Sequence, residues 1–182
     1  MNISHFYLCK KTAERFISEH DVVLYEYTSV MSDEHPDVLC YNGANTILFE
    51  IKVNYQDFKK DNKKDCRKKY KLRYNLYHIG KEYKGKTYTE NYILKEPELK
   101  EYIIQYPHLG RKRYYVCPKD LIHPGEIKNG WGLYWYNGKF KKMKESKIFR
   151  NNLHRENNLL SHAFRKYYND KNDVKNILIR SY

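Results

Sequence analysis

A chain of 182 residues and 22.3 kDa is enough for one domain and marginal for two. Its 35 Lys and Arg against 22 Asp and Glu leave a net charge of +13, which speaks of partners rather than fold and favours a polyanion such as nucleic acid over a membrane surface. No apolar run approaches the roughly 20 residues that span a bilayer, and residues 1–10 lack the apolar stretch of about 7–15 residues of a secretory leader, so neither class is expected.

Residues 11–20 read as a helix with Ala13, Phe16 and Ile17 on one apolar stripe. Residues 22–28, rich in β-branched and aromatic side chains, read as a strand, 29–36 as a loop and 37–41 as a second strand. Asn42-Gly43-Ala44-Asn45 is a turn, and 46–53 is a third strand, so 37–53 form a hairpin. Residues 55–70 turn helical and basic. From 71 to 110 Tyr and Lys alternate without a period; this stretch reads as a surface insertion with a short helix at 97–105. A strand at 113–117 stops at Pro118, 121–130 is a loop, and 131–136 with 139–143 make a second hairpin around Asn137-Gly138 as a type I′ pair. Residues 151–168 form an amphipathic helix carrying Leu153, Leu160, Phe164 and Tyr167. Without repeats or a Ser/Gly linker, a single domain over 1–182 is expected, with a basic insertion at about 67–110 and a helical tail at about 147–182. The order points to a mixed α/β sheet with helices on its faces and an antiparallel hairpin at one side.

Cys9, Cys40, Cys66 and Cys117 are far apart and contain no CxxC pair, and Cys40 and Cys117 lie within apolar runs. That pattern fits a reducing, cytoplasmic protein with neither a disulfide framework nor a zinc site. Apart from His35, a loop residue beside Pro36-Asp37 that could approach a phosphate but is more often idle, the histidines, His5 among them, show no ligand spacing.

The third strand carries the chemistry. Ile47, Phe49, Ile51 and Val53 share one face, and Leu48, Glu50 and Lys52 the other. Taken alone, Glu50 and Lys52 are the solvated side of a half-wet strand. Their neighbours argue for more. If Asn42 pairs with Asn45 or with Ile47, Asp37 faces Glu50 or Lys52; with Asn42 opposite Thr46 it points to the other face. Two carboxylates about 4.5–5.5 Å apart repel unless a cation lies between them, and Mg²⁺ suits an all-oxygen site. An ammonium at Lys52 can orient an attacking water and stabilise charge on a phosphate. Two carboxylates, a lysine and a metal suit phosphodiester hydrolysis. Residues 59–73 then hold nine Lys or Arg against Asp61 and Asp65, a local charge of +7. Such a run is ordinarily a solvated helix face; beside an acidic pocket it reads as a phosphate-tracking surface.

Pro36-Asp37, twelve intervening residues and then Glu50-Ile51-Lys52 resemble the signature of the PD-(D/E)xK nuclease superfamily. The expected helix–strand–strand–strand–helix–strand order is similar to that family's restriction-endonuclease-like core (αβββαβ), here followed by a β-hairpin and helix. Ile51 to Phe58, with Asp61 and Lys63-Lys64, resembles a group of small phage and bacterial endonucleases of this fold, as does Arg113 to Pro118 with Leu121-Ile122, Pro124 and Gly130-Trp131-Gly132-Leu133. The resemblance covers about residues 10–66 and 108–136.

It implies Asp37, Glu50 and the Ile51 carbonyl as ligands of Mg²⁺ or Mn²⁺, with Lys52 as the catalytic lysine. Many members add an acidic residue from the first helix, here Glu14; Glu26, on the same strand face as Val22 and Leu24, is its rival. Gln56 and the cations Lys59, Lys60, Lys63, Lys64, Arg67, Lys68 and Lys69 would hold nucleic acid, DNA above all. A homodimer is one expectation, because the fold often works in pairs. The competing readings are a catalytically idle nucleic-acid-binding module of the same fold, or a phage or host-defence accessory that binds another protein.

Overall fold

A computed structural model describes residues 3–28, 35–61, 70–75, 82–83, 86–87, 99–104, 109–127, 130–169 and 176–181, with the backbone alone between 70 and 104. The chain begins with α1 (His5–Phe16), β1 (Val22–Tyr25), β2 (Val38–Asn42), β3 (Asn45–Ile51) and α2 (Tyr55–Asp61). Four short strands follow: β4 (Tyr70–Asn75), β5 (Glu82–Tyr83), β6 (Lys86–Thr87) and β7 (Leu99–Ile104). The chain then forms β8 (Lys112–Pro118), β9 (Gly132–Tyr136), β10 (Phe140–Lys144), α3 (Leu153–Asn169) and β11 (Ile177–Ile179). Two compact units result, one from 1–67 with 107–182 and one from 68–106. Among the described residues, no helix is long and apolar enough to cross a membrane.

The larger unit is built on a seven-stranded mixed sheet in the order β10-β9-β8-β3-β2-β1-β11. β3, β8 and β9 run parallel, and the remaining neighbours are antiparallel. Strand alternation divides the core in two. Val23, Tyr25, Val38, Cys40, Phe49, Ile51, Tyr114 and Val116 pack under Leu8, Cys9, Ala13 and Phe16 of α1. On the opposite face Leu24, Leu39, Leu48, Tyr115 and Leu133 pack under Phe58 of α2 and under Leu159 and Ala163 of α3. The result is a three-layer α/β/α arrangement, as expected of a sheet whose central strands are apolar on both sides.

Local departures from expectation have identifiable causes. α1 starts at His5 rather than at 11, because Ser4 caps it by accepting the Tyr7 N–H at 3.2 Å. The β2–β3 hairpin closes with positive φ at Gly43 (55°), the first central position of a two-residue turn, where glycine carries no Cβ penalty. The second hairpin is not a type I′ turn. That turn needs positive φ at both central residues, whereas Gly138 (71°) has it and Asn137 does not, and residues 137–139 bridge Tyr136 to Phe140.

Of the tail expected to be helical, α3 spans Leu153–Asn169, whereas Ile177–Ile179 is strand β11, which pairs antiparallel with β1 and covers that edge of the sheet. In the smaller unit Leu99–Ile104 is a strand, not a helix, because it pairs antiparallel with Tyr70–Asn75, and ladder partners outweigh local helix preference. The β5 and β6 pair is a separate two-stranded ladder.

α3 is fastened by a buried acid. Glu156 Oε1 accepts from the Thr46 hydroxyl at 2.9 Å and the Gly110 N–H at 2.7 Å, and Oε2 from Asn151 Nδ2 at 2.7 Å. Burial pushes its carboxyl up, against the pull of these donors and of the Arg113 charge.

Candidate active site

Register decides which side chains meet at the C-terminal end of β3. Asn42 pairs with Asn45 and Val38 with Phe49, so continuing the ladder by one residue puts Asp37 opposite Glu50. Asp37 lies just before the first ladder residue of β2, and there its carboxylate turns to the end of the sheet. Oδ2 accepts the Ile51 N–H at 2.6 Å and lies 3.4 Å from His5 Nε2 on α1. Glu50 and Lys52 project to the opposite, α2-covered face. The Asp37 carboxylate is therefore at the rim where the two faces meet rather than flat beside Glu50.

The half-wet strand expected for Glu50 and Lys52 is absent. Both are buried, with 1% and 5% of their surface exposed, under α2 and beside Tyr115. Lys52 Nζ lies 3.1 Å from Glu50 Oε2 and 3.0 Å from Asp61 Oδ1, at the end of α2. The Tyr115 hydroxyl donates to Asp61 Oδ2 at 2.6 Å. Tyr115 is the direct β8 partner of Glu50, and its ring is stacked on Trp131 (4.7 Å) and met edge-on by Phe58 (5.3 Å). Lys52 therefore has two carboxylate partners, one of them fixed in turn by a tyrosine that two aromatic rings immobilise.

α2 is short, and its start is set by Asn54, whose side-chain oxygen accepts the Asp57 N–H at 2.9 Å. Asp57 is bonded back to the Asn54 amide, so it serves the cap. Gln56, Lys59 and Lys60 are exposed on α2. Lys63, Lys64, Arg67, Lys68 and Lys69 lie outside the described residues.

Of the two rival acids the structure places Glu26 beside Asp37's partner His5, and Glu14 elsewhere. At about 100° per residue Glu14 is half a turn around α1 from His5. It pairs with Lys11 at 2.8 Å and Lys10 at 3.9 Å, on an open depression shared with Arg15 and Lys139. Glu26 has a positive φ of 48°, uncommon for a residue with a Cβ. Its Oε1 lies 3.1 Å from His5 Nδ1 and accepts from the Cys9 thiol at 3.1 Å. His5 Nδ1 and Cys9 Sγ are 3.6 Å apart.

The electrostatics show these groups acting on one another. The Asp37 carboxylate raises the His5 pKa, opposed by burial and by the Lys52 charge. Burial first, then the hydrogen bond to Glu26 and the charges of Asp37, Glu26 and Glu50, push the Cys9 thiol far up. Sequence pattern alone assigns no site role to His5, Cys9, Asp61 or Tyr115. The available signal was His5-x-x-x-Cys9, which is one turn of a helix once Ser4 is read as its cap. Asp61 is a minority charge in a basic run, where nothing local marks it as a partner of Lys52.

No family model matches the chain, and no characterised protein matches it by sequence. Among solved structures it is similar to the SPO1766 protein of unknown function from Silicibacter pomeroyi, with a TM-score of 0.54 at 13% identity over 95% of this chain and 97% of that one. At that identity the likeness shows a shared mixed α/β fold.

Proposed function

We propose that the protein is a metal-dependent nuclease of the restriction-endonuclease-like fold. The observation that carries this reading is the C-terminal end of β3, where Asp37, one ladder step beyond the Val38–Phe49 pair, accepts the N–H of Ile51, which lies in sequence between the paired Glu50 and Lys52. The order α1-β1-β2-β3-α2-β8 within the larger unit supports it, as does the net charge of +13.

The donor chemistry fits a hard divalent cation: two carboxylates and the Ile51 carbonyl are oxygen ligands of the kind Mg²⁺ or Mn²⁺ takes. Such an ion, when bound, supplies Lewis-acid stabilisation of the phosphorane-like charge. The chain's own residues do the rest. Lys52, oriented by Glu50 and Asp61, positions the attacking water and meets charge developing on the phosphate oxygens. Lys59 and Lys60, exposed on α2, hold the phosphate backbone.

The test is incubation of the full chain with plasmid, linear and single-stranded DNA in Mg²⁺, Mn²⁺ or EDTA. Cleavage that needs the metal and is lost in Glu50→Ala is expected. Binding to DNA with no cleavage in either metal would replace the reading with that of an idle binding module.

A further inference from the structure

The donors around Glu26 are of a different chemical kind from those of the proposed nuclease centre. They comprise a thiol, an imidazole nitrogen and a carboxylate oxygen, and among the described residues they are a cluster whose donor atoms all lie within 4.8 Å of one another. We propose that His5, Cys9 and Glu26 form a binding site for a borderline-soft divalent transition metal of the Zn²⁺ class, separate from any Mg²⁺ on Asp37 and Glu50. The inference goes beyond the nuclease reading and does not depend on it.

Four observations carry it. The first is spacing. Ligand bonds of about 2.0–2.3 Å at tetrahedral angles put donor atoms about 3.3–3.6 Å apart. The three separations here are 3.1 Å (His5 Nδ1 to Glu26 Oε1), 3.1 Å (Cys9 Sγ to Glu26 Oε1) and 3.6 Å (His5 Nδ1 to Cys9 Sγ), close to the edges of such a tetrahedron. The second is support from behind. The far ring nitrogen of His5, Nε2, faces Asp37 Oδ2 at 3.4 Å. A carboxylate on the outer nitrogen fixes the tautomer that leaves the inner nitrogen's lone pair for a metal.

The third is delivery. His5 and Cys9 are one turn apart on α1 and come to the site as a pair, while Glu26 reaches it from the end of β1. The fourth is access. The side chains of His5 and Glu26 are 39% and 32% exposed, so an ion can arrive from solvent although Cys9 is buried. Three protein ligands leave a fourth tetrahedral position open. A thiolate with an imidazole selects Zn²⁺ or Co²⁺ over Mg²⁺. Binding releases the Cys9 proton that otherwise bonds to Glu26, so uptake is accompanied by acid release.

The full chain, stripped with chelator and without DNA, is titrated with Co²⁺. One equivalent is expected to give the visible bands of tetrahedral Co²⁺ and a near-ultraviolet thiolate-to-cobalt band, both displaced by one equivalent of Zn²⁺ and by no excess of Mg²⁺. Cys9→Ser should lose the thiolate band, and Cys117→Ser should keep it. Glu26→Gln is the second variant, at a partly exposed position, should Cys9→Ser fail to fold by circular dichroism; it should lose tight binding. Asp37→Asn should weaken Co²⁺ by about 10- to 100-fold while keeping the band. Absence of the thiolate band in the parent chain, its survival in Cys9→Ser, or unchanged affinity in Glu26→Gln would overturn the site. Failure to cut DNA bears on the nuclease reading alone.

Discussion

Lys52, one residue past the end of β3, and Asp61, the last residue of α2, meet at 3.0 Å inside the protein. Asp61 has 1% of its surface exposed, and its second oxygen takes the Tyr115 hydroxyl. Removing one member of a buried ion pair leaves the other charge in a poor solvent, typically at a cost of about 3–5 kcal/mol. Asp61→Asn is therefore expected to lower stability by about 3 kcal/mol in urea titrations, and Tyr115→Phe by about 1 kcal/mol through one lost hydrogen bond. On the proposed nuclease reading Asp61 acts through Lys52, so Asp61→Asn should lower kcat for DNA cleavage while KM stays near that of the parent. A variant that destabilises as described yet keeps full kcat would make Asp61 purely structural.

Asp37 and Glu50 should separate binding from chemistry. Both are carboxylates that repel a phosphodiester, so Asp37→Asn and Glu50→Gln are expected to leave DNA affinity equal to or tighter than the parent's while cleavage falls by at least about 100-fold. Fluorescence anisotropy with a labelled duplex in EDTA reads the first quantity and a nicking assay in Mg²⁺ the second. Parallel loss of both would mean that these acids hold the fold rather than a cation. Glu50 is the more exposed to that outcome, because it is buried against Lys52.

The residues that were legible in the sequence are those governed by local pattern. Alternation in Ile47 to Val53 assigns each side chain to its face, and the short turn at Gly43 leaves the register that sets Asp37 opposite Glu50 among the few possible. What covers a face is a long-range matter. Alternation cannot say that α2 and Tyr115 bury Glu50 and Lys52, so a wet face was the natural expectation. The same limit hid Glu156, a charged residue on an otherwise amphipathic helix, whose partners Thr46 and Gly110 are far away in sequence. β11 escaped because three residues, Ile177–Ile179, carry too little periodicity to be read, although they complete one edge of the sheet. His5 and Cys9 escape for a local reason: Phe6, Tyr7, Leu8 and Cys9 form an unbroken apolar and aromatic run without helical spacing, so the helical period is visible only from Lys11 onward, although the Ser4 cap starts the helix at His5.

The basic face of α2 should leave its mark on salt dependence. Each phosphate neutralised by a protein cation contributes about −0.9 to the slope of log K against log salt for duplex DNA. Lys59 and Lys60 are exposed on this helix, so Lys59→Ala and Lys60→Ala are each expected to make the slope shallower by about one and to weaken all duplex sequences alike. Competition binding over a range of KCl concentrations measures this directly. A slope unchanged in the double variant would move the phosphate track away from α2.

Glu156 gives a pH signature with a definite sign. Burial, the largest influence, raises its folded pKa above the ordinary glutamate value near 4.5. A group shifted in that direction contributes stability that is complete below its unfolded pKa and is lost as pH rises through the folded one. Glu145 runs the other way. Its bonds from Lys142, Tyr114 and Lys112 hold it at about 2, so its smaller, solvent-screened contribution is present at neutral pH and is lost in acid. The two are separated by comparing each variant with the parent. Between pH 4 and 7 the stability of Glu156→Gln should rise relative to the parent as pH increases, whatever constant offset the amide introduces against Asn151. Glu156→Ala should cost about 3 kcal/mol, because it strands the Gly110 N–H and the Thr46 hydroxyl. Urea midpoints at four or five pH values decide the matter: a gap between Glu156→Gln and the parent that stays flat from pH 4 to 7 would remove the buried carboxylate as the source of the effect.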